Sequence, residues 1–182
     1  MILTGQEIQN QYNEGCITIT PFNAEHVTTN SYDLCLGDTF ISYDADVIDP
    51  AQKIPYKVIR AGIDGIIMQP GDFLLGHSVE AIGSNNHVPI IHAKSGIARL
   101  GLFVHVTADL IDIGSHGQVT FQLLATLPIK LYPGMKIGQV SFWKPKGEIS
   151  LYEGKYQGSV GPRVSEVYKD FDAQSFRLTR AA

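Results

Sequence analysis

Three short segments carry residue types that can do chemistry at close spacing. The first is AKSGIARLG, residues 93–101, in which Lys94, Ser95 and Arg99 set two cations and a hydroxyl around Gly96. Arginine offers a fork of charge-assisted donors and lysine a point charge, a pairing that suits a polyphosphate. The same residues also fit a solvated turn with two surface cations. The second segment is HVTADLIDIGSHG, residues 105–117, where Asp109 and Asp112 flank apolar positions and Gly114 and Gly117 interrupt them. A carboxylate beside a glycine turn can orient a sugar hydroxyl or a water, although ordinary Asx-turn chemistry accounts for it equally well. The third is EGKYQGSVGP, residues 153–162, whose glycines, Lys155 and Tyr156 read either as a lid closing over a ligand or as a flexible tail.

The remaining reactive residues narrow the chemistry. His26, His77, His87, His92, His105 and His116 form no HxH, HExxH or HxE…PCxxC pattern. A zinc-dependent base deaminase needs the last of these, so any deamination here is expected to be metal-free, with no zinc. His105, inside an apolar run, reads as a core histidine with its polar atoms satisfied. Cys16 and Cys35 stand apart, with no CxxC and no histidine at metal-ligand spacing, and read as free thiols in a reducing compartment.

These residues must be positioned by a single domain. A chain of 182 residues can bury a sizeable core. A net charge of −4 gives no general nucleic-acid or membrane surface, so an anionic ligand has to be held by a local basic cluster. The N-terminus has no basic start followed by an apolar stretch, and no apolar run approaches the roughly 20 residues of a membrane-spanning helix. The expected location is cytoplasmic.

Thr4 and Glu7 fit a capping box that opens a short helix from about Gly5 to Asn13, closed by Gly15. Thereafter short apolar or alternating runs recur at 17–19, 32–36, 39–42, 65–68, 73–78, 88–92, 102–106, 119–124, 129–131 and 137–143. Gly, Pro, Asn and Asp separate them. Many short strands with turn signals at this spacing predict a sandwich, jelly roll or distorted barrel. Residues 44–62 read as the most loop-like stretch. Beyond Trp143 the chain is rich in Gly, Lys and Tyr and poor in aliphatic residues. It cannot build its own core and reads either as disordered or as laid over another surface, such as a neighbouring subunit, with its aromatics favouring the second.

Taken in order, NSYDLCLG (30–37), PGDFLLGHSVE (70–80), KSGIARLG (94–101), HVTADLIDIGSHG (105–117), PGMKIGQVSF (133–142) and KYQGSVGP (155–162) resemble the dCTP deaminase family, a branch of the trimeric dUTPase superfamily. The resemblance implies one all-β domain over residues 1–182. Its fold would be a distorted jelly-roll β-barrel with a short N-terminal helix, and the tail 144–182 would close over nucleotide. It implies a homotrimer with sites between subunits, dCTP or dUTP as substrate, Mg²⁺ carried on the substrate triphosphate, and dTTP as a candidate feedback inhibitor. No nucleic-acid or membrane partner is implied.

Carried over by position, catalysis falls on Gln122, Ser95, Arg99 and Asp112. Phosphate contacts fall on Lys94, Ser95, Gly96 and Arg99, and Asp112 holds the deoxyribose 3′-hydroxyl. Base contacts come from the backbone at Thr120, Phe121 and Gln122, with further contacts at Gln139, Tyr152 and Lys155. The chain departs from the family pattern at Gly96 (usually Ser), Ile113 (usually Pro) and Ser159 (usually Gln). The decisive departure is Gln122, where dCTP deaminases carry a glutamate that relays protons to cytosine. Glutamine can hydrogen-bond a base edge but cannot shuttle a proton. The resemblance therefore implies a dCTP deaminase making dUTP and ammonia, with an altered relay. A dUTPase-like pyrophosphatase and a nucleotide-binding protein without turnover remain as alternatives.

Overall fold

The structure is a computed structural model that describes residues 1–105 and 107–171. The chain starts with helix α1 (Gly5–Asn13), where the expectation placed it. The Thr4 hydroxyl accepts a hydrogen bond from the Glu7 amide, while the Glu7 carboxylate turns to Asn10 and Gln11. Only half of the capping box therefore forms. Ile8 is fully buried, and Tyr12 stacks on Phe22 with ring centroids 4.0 Å apart, which fastens the helix to the β core.

Eleven strands follow: β1 (Ile17–Thr20), β2 (Tyr32–Cys35), β3 (Thr39–Tyr43), β4 (Tyr56–Arg60), β5 (Ile66–Met68), β6 (Phe73–Ser84), β7 (Val88–Ala93), β8 (Leu102–Phe103), β9 (His116–Ala125), β10 (Ile129–Leu131) and β11 (Lys136–Trp143). A single helical turn, α2 (Ser95–Ala98), lies between β7 and β8. Every strand pairing is antiparallel. The large sheet runs β4-β3-β6-β9-β8 with β1 also on β6, a second runs β2-β11-β7, and β5 pairs with β10.

The all-β expectation holds, and its strand list needs one addition. Residues 44–62, expected to be loop, contain β4, which zips along the whole of β3. All of β4 except Ile59 is exposed. An edge strand with no buried face leaves no alternating apolar signature to read. The expected strand over 102–106 shortens to Leu102–Phe103; Val106, like the tail beyond Phe171, lies outside the described residues.

β6 and β9 form the spine. Along β9, Val119, Phe121, Leu123 and Ala125 are buried, while Gln118, Thr120 and Gln122 stay partly exposed between them. This is the period-2 alternation of a strand with one face on the core. The pairing of β6 with β9 slips between His77 and Ala81, leaving Ser78–Glu80 as a bulge opposite Val119. The Ser78 hydroxyl fills the break by accepting from the Val119 amide and donating to the Glu80 carbonyl.

Candidate functional site

The polar face of β9 forms one wall of a cleft of about 590 Å³, within the usual size of a small-molecule site. Thr120 and Gln122 project into it from β9, Asp112 from the turn before β9, and Tyr152, Tyr156, Ser159 and Arg163 from the C-terminal segment. Tyr43 at the end of β3 and His105 complete the rim.

Local structure explains why the turn delivers Asp112. Its carbonyl accepts from the Ser115 amide, and Gly114, at φ +90°, donates to the carbonyl of Ser84. A Cβ at Gly114 would meet the Tyr152 nitrogen at 2.9 Å, so the turn is tight against the tail and requires glycine. Among the described residues, neither the Asp112 carboxylate nor the Gln122 side-chain amide has a hydrogen-bond partner. Both stand free for a ligand.

The C-terminal segment is laid over a surface, as one reading of its composition expected, and that surface is its own chain's. Tyr152 donates its amide to the Ile113 carbonyl, Gly158 to His116, and Ser159 receives the Gln118 amide on its carbonyl. Gly161 donates to the Gln118 side chain at 2.6 Å and Arg163 to the Thr120 hydroxyl at 3.0 Å. Two tyrosine hydroxyls then hold the returning chain, Tyr43 accepting from Ser165 and Tyr156 from Glu166.

The phosphate-motif residues lie elsewhere. Lys94 forms an ion pair with Asp33 at 2.5 Å, and Lys136 approaches the same carboxylate at 3.7 Å. Ser95, Gly96 and Arg99 are exposed on and after α2. None of these residues lines the cleft, so one chain does not bring Arg99 and Asp112 together. A Cβ at Gly96 would meet nothing within 4 Å, so this glycine is not required by the fold.

Other expected contacts also move. Gln139 is a strut, accepting from Ser31 at 2.7 Å and donating to the Ala93 carbonyl at 3.3 Å. The Lys155 ammonium is paired with Asp170, which holds it above the usual lysine range through that hydrogen bond, and it lies outside the cleft. Phe121 is fully buried on the core face, so only its backbone belongs to this strand wall. The Ser159 hydroxyl is spent inside its own turn on the Tyr156 carbonyl.

His105 differs from its expected role as a satisfied core residue. It faces the cleft, with Nε2 on the Ala108 carbonyl and Nδ1 buried. Desolvation pushes its pKa down, so the ring is neutral near pH 7. Sequence reasoning also missed Arg163, the one guanidinium that lines the cleft among the described residues, which is clamped to Glu166 at 2.9 Å. Alternation along β9 could have found Gln118 and His116, which share the face of Thr120 and Gln122. Nothing local marked Tyr43 or Arg163.

The described residues hold no cluster of three metal-ligating groups in this cleft. No helix among the described residues is long and apolar enough to cross a membrane.

With this geometry in hand, similarity to known proteins becomes informative. A curated relative from Clostridium beijerinckii, named dCTP deaminase, dUMP-forming, is 39% identical over 94% of this chain and 99% of its own length. One of the same name from Leptospira biflexa is 36% identical over 94% and 99%. A crystal structure of 2′-deoxycytidine 5′-triphosphate deaminase from Agrobacterium tumefaciens superposes with TM-score 0.61 at 18% identity, covering 78% of this chain and 47% of that one; it shows the shared fold. A family model described as dCTP deaminase-like matches residues 2–145, and with relatives this similar along nearly their full length the chain belongs to that family.

Proposed function

We propose that this chain hydrolyses a pyrimidine deoxynucleoside triphosphate to the monophosphate, with dUMP as the end product, in clefts shared between the chains of a homotrimer. The observation that carries this reading is the convergence of Asp112, Thr120 and Gln122 on one cleft roofed by the C-terminal segment. The relatives are named dUMP-forming, so dUMP replaces the dUTP that the family resemblance implied.

Each group has a stated task. The free Asp112 carboxylate holds the deoxyribose 3′-hydroxyl and orients the reacting nucleotide. Thr120 and Gln122 read the base edge, the amide of Gln122 offering both a donor and an acceptor. Lys94, Ser95 and Arg99 of a neighbouring chain supply the phosphate cations that this chain's own cleft lacks. Mg²⁺ on the triphosphate neutralises charge as the phosphate bond breaks. Asp33 accepts from Lys94 and keeps its ammonium oriented, while Lys136 leaves the trio with two cations against one carboxylate.

Cleavage between the α and β phosphates needs oriented water and cations, but no proton relay to the base. Gln122 therefore spares that half of the reaction and slows deamination. The test follows ammonia and pyrophosphate separately after adding Mg²⁺ with dCTP or dUTP. Pyrophosphate from dUTP, with little ammonia from dCTP, is the expected result. Binding of either nucleotide with no product would sink turnover in favour of a nucleotide-binding protein, and fast ammonia release would refute the role given to Gln122.

A further inference from the structure

Cys35 has no histidine near it in sequence at metal-ligand spacing, yet the fold supplies one. His26, on the 3-10 turn Ala24–His26, Cys35 at the end of β2, and Glu80 in the β6 bulge present Nδ1, Sγ and a carboxylate oxygen within 4.8 Å of one another. None of the three lines the nucleotide cleft. We infer that this cluster is a divalent-metal site of the zinc class, held by His26 Nδ1, Cys35 Sγ and the Glu80 carboxylate, with water as the fourth ligand.

Several independent features point to a cation. Glu80 is only 2% exposed, and the bulge that turns it inward is pinned by Ser78 and by the bridge from Leu36 to Ser78. A buried carboxylate is costly unless it is compensated. One of its oxygens accepts from the Cys35 amide at 2.9 Å. The other faces His26 Nδ1 at 3.7 Å, beyond hydrogen-bond reach. That Nδ1 is itself buried with no hydrogen-bond partner among the described residues, which native interiors rarely tolerate.

The separations suit the ion. Zinc bonds of roughly 2.0–2.3 Å to nitrogen, oxygen and sulfur imply ligand-to-ligand edges of roughly 3.3–3.6 Å in a tetrahedron. The His26–Glu80 distance of 3.7 Å is already close to that value, and all three ligand atoms lie within 4.8 Å of one another. A nitrogen, thiolate and carboxylate set favours zinc over magnesium or calcium. The His26 side chain is 14% exposed, which provides an entry path. Burial and the Glu80 charge push the Cys35 thiol up to about 11 in the metal-free protein, so binding must release its proton. The ion would tie β2, β6 and the 3-10 turn together, outside the cleft lining, as a structural centre.

The experiment uses the full chain, stripped with a chelator and titrated with Zn²⁺ and, separately, Co²⁺. One ion per chain, a rise in Tm with Zn²⁺ and a near-ultraviolet sulfur-to-cobalt charge-transfer band are expected. Cys35→Ser should abolish the band, His26→Asn and Glu80→Gln should weaken binding at least about tenfold, and Cys16→Ser should change nothing. His26→Asn changes a partly exposed side chain on the 3-10 turn rather than a residue of a buried strand and keeps the test open if the buried variants fail to fold. Absence of the band in the unmodified protein, its survival in Cys35→Ser, or unchanged affinity in His26→Asn would each overturn the site.

Discussion

At the scale of single residues, the proposed function makes Gln122 the residue that separates the two halves of the chemistry. It pairs with Leu75 across β6 and β9 and points its unpartnered amide into the cleft beside Thr120. Replacing the amide by a carboxylate adds a proton carrier without changing shape. Gln122→Glu is therefore expected to raise ammonia release from dCTP by roughly 10²–10⁴-fold, the usual contribution of general acid–base catalysis, with pyrophosphate release changed little. Single-turnover assays with both products quantified decide this, and an unchanged ammonia rate would remove Gln122 from the mechanism. His87 shows a different residue-scale effect. Burial first, then Lys144, lowers its pKa, so the folded chain resists a proton that the unfolded chain accepts. The stability this gives is present above the unfolded histidine value of about 6.5 and is lost as pH falls below it. Melting curves between pH 7 and 5 should show Tm falling less steeply in His87→Gln than in the parent protein.

At the scale of elements, β9 and the C-terminal segment act as one unit. Gly117 forms a parallel bridge to Ser159, and a Cβ there would meet the Ser159 nitrogen at 2.6 Å with φ at +153°. Gly117→Val is expected to detach residues 153–165 while leaving the buried face of β9 in place. Limited proteolysis should then cut within that segment, and kcat/KM for dUTP should fall at least about tenfold as the cleft loses its roof. An unaltered cleavage pattern would show that the segment is held by its tyrosine contacts instead. Much of this level was readable beforehand. The short apolar and alternating runs marked ten of the eleven strands, and Gly114 and Gly117 marked the turn that delivers Asp112. The edge strand β4 escaped because nothing buries its faces. A covering tail was expected, but where it docks was not legible, because its partners include backbone groups, the Gln118 and Thr120 side chains and the Tyr43 hydroxyl, all distant in sequence.

At the scale of the whole molecule, the separation of Arg99 from the Asp112 cleft makes a sharp claim about assembly. If the site is shared between chains, Arg99→Ala and Asp112→Asn each disable it, but mixed trimers regain some intact sites. Co-refolding the two inactive variants in equal amounts should restore about a quarter of the sites in a random symmetric trimer. No recovery from mixed trimers, or a chain that remains monomeric in light scattering, would reject the shared cleft. The sequence alone determined the residue types, the antiparallel β class, the helix at the N-terminus and the family to which the motifs point, because these depend on local periodicity and on contiguous segments. Only the tertiary structure decided that Lys94 and Gln139 are held by Asp33 and Ser31, that Lys155 pairs with Asp170, and that His26 meets Cys35 and Glu80. Those outcomes depend on which side chains a twisted sheet brings within a few ångströms across long loops, and no spacing along the chain encodes that.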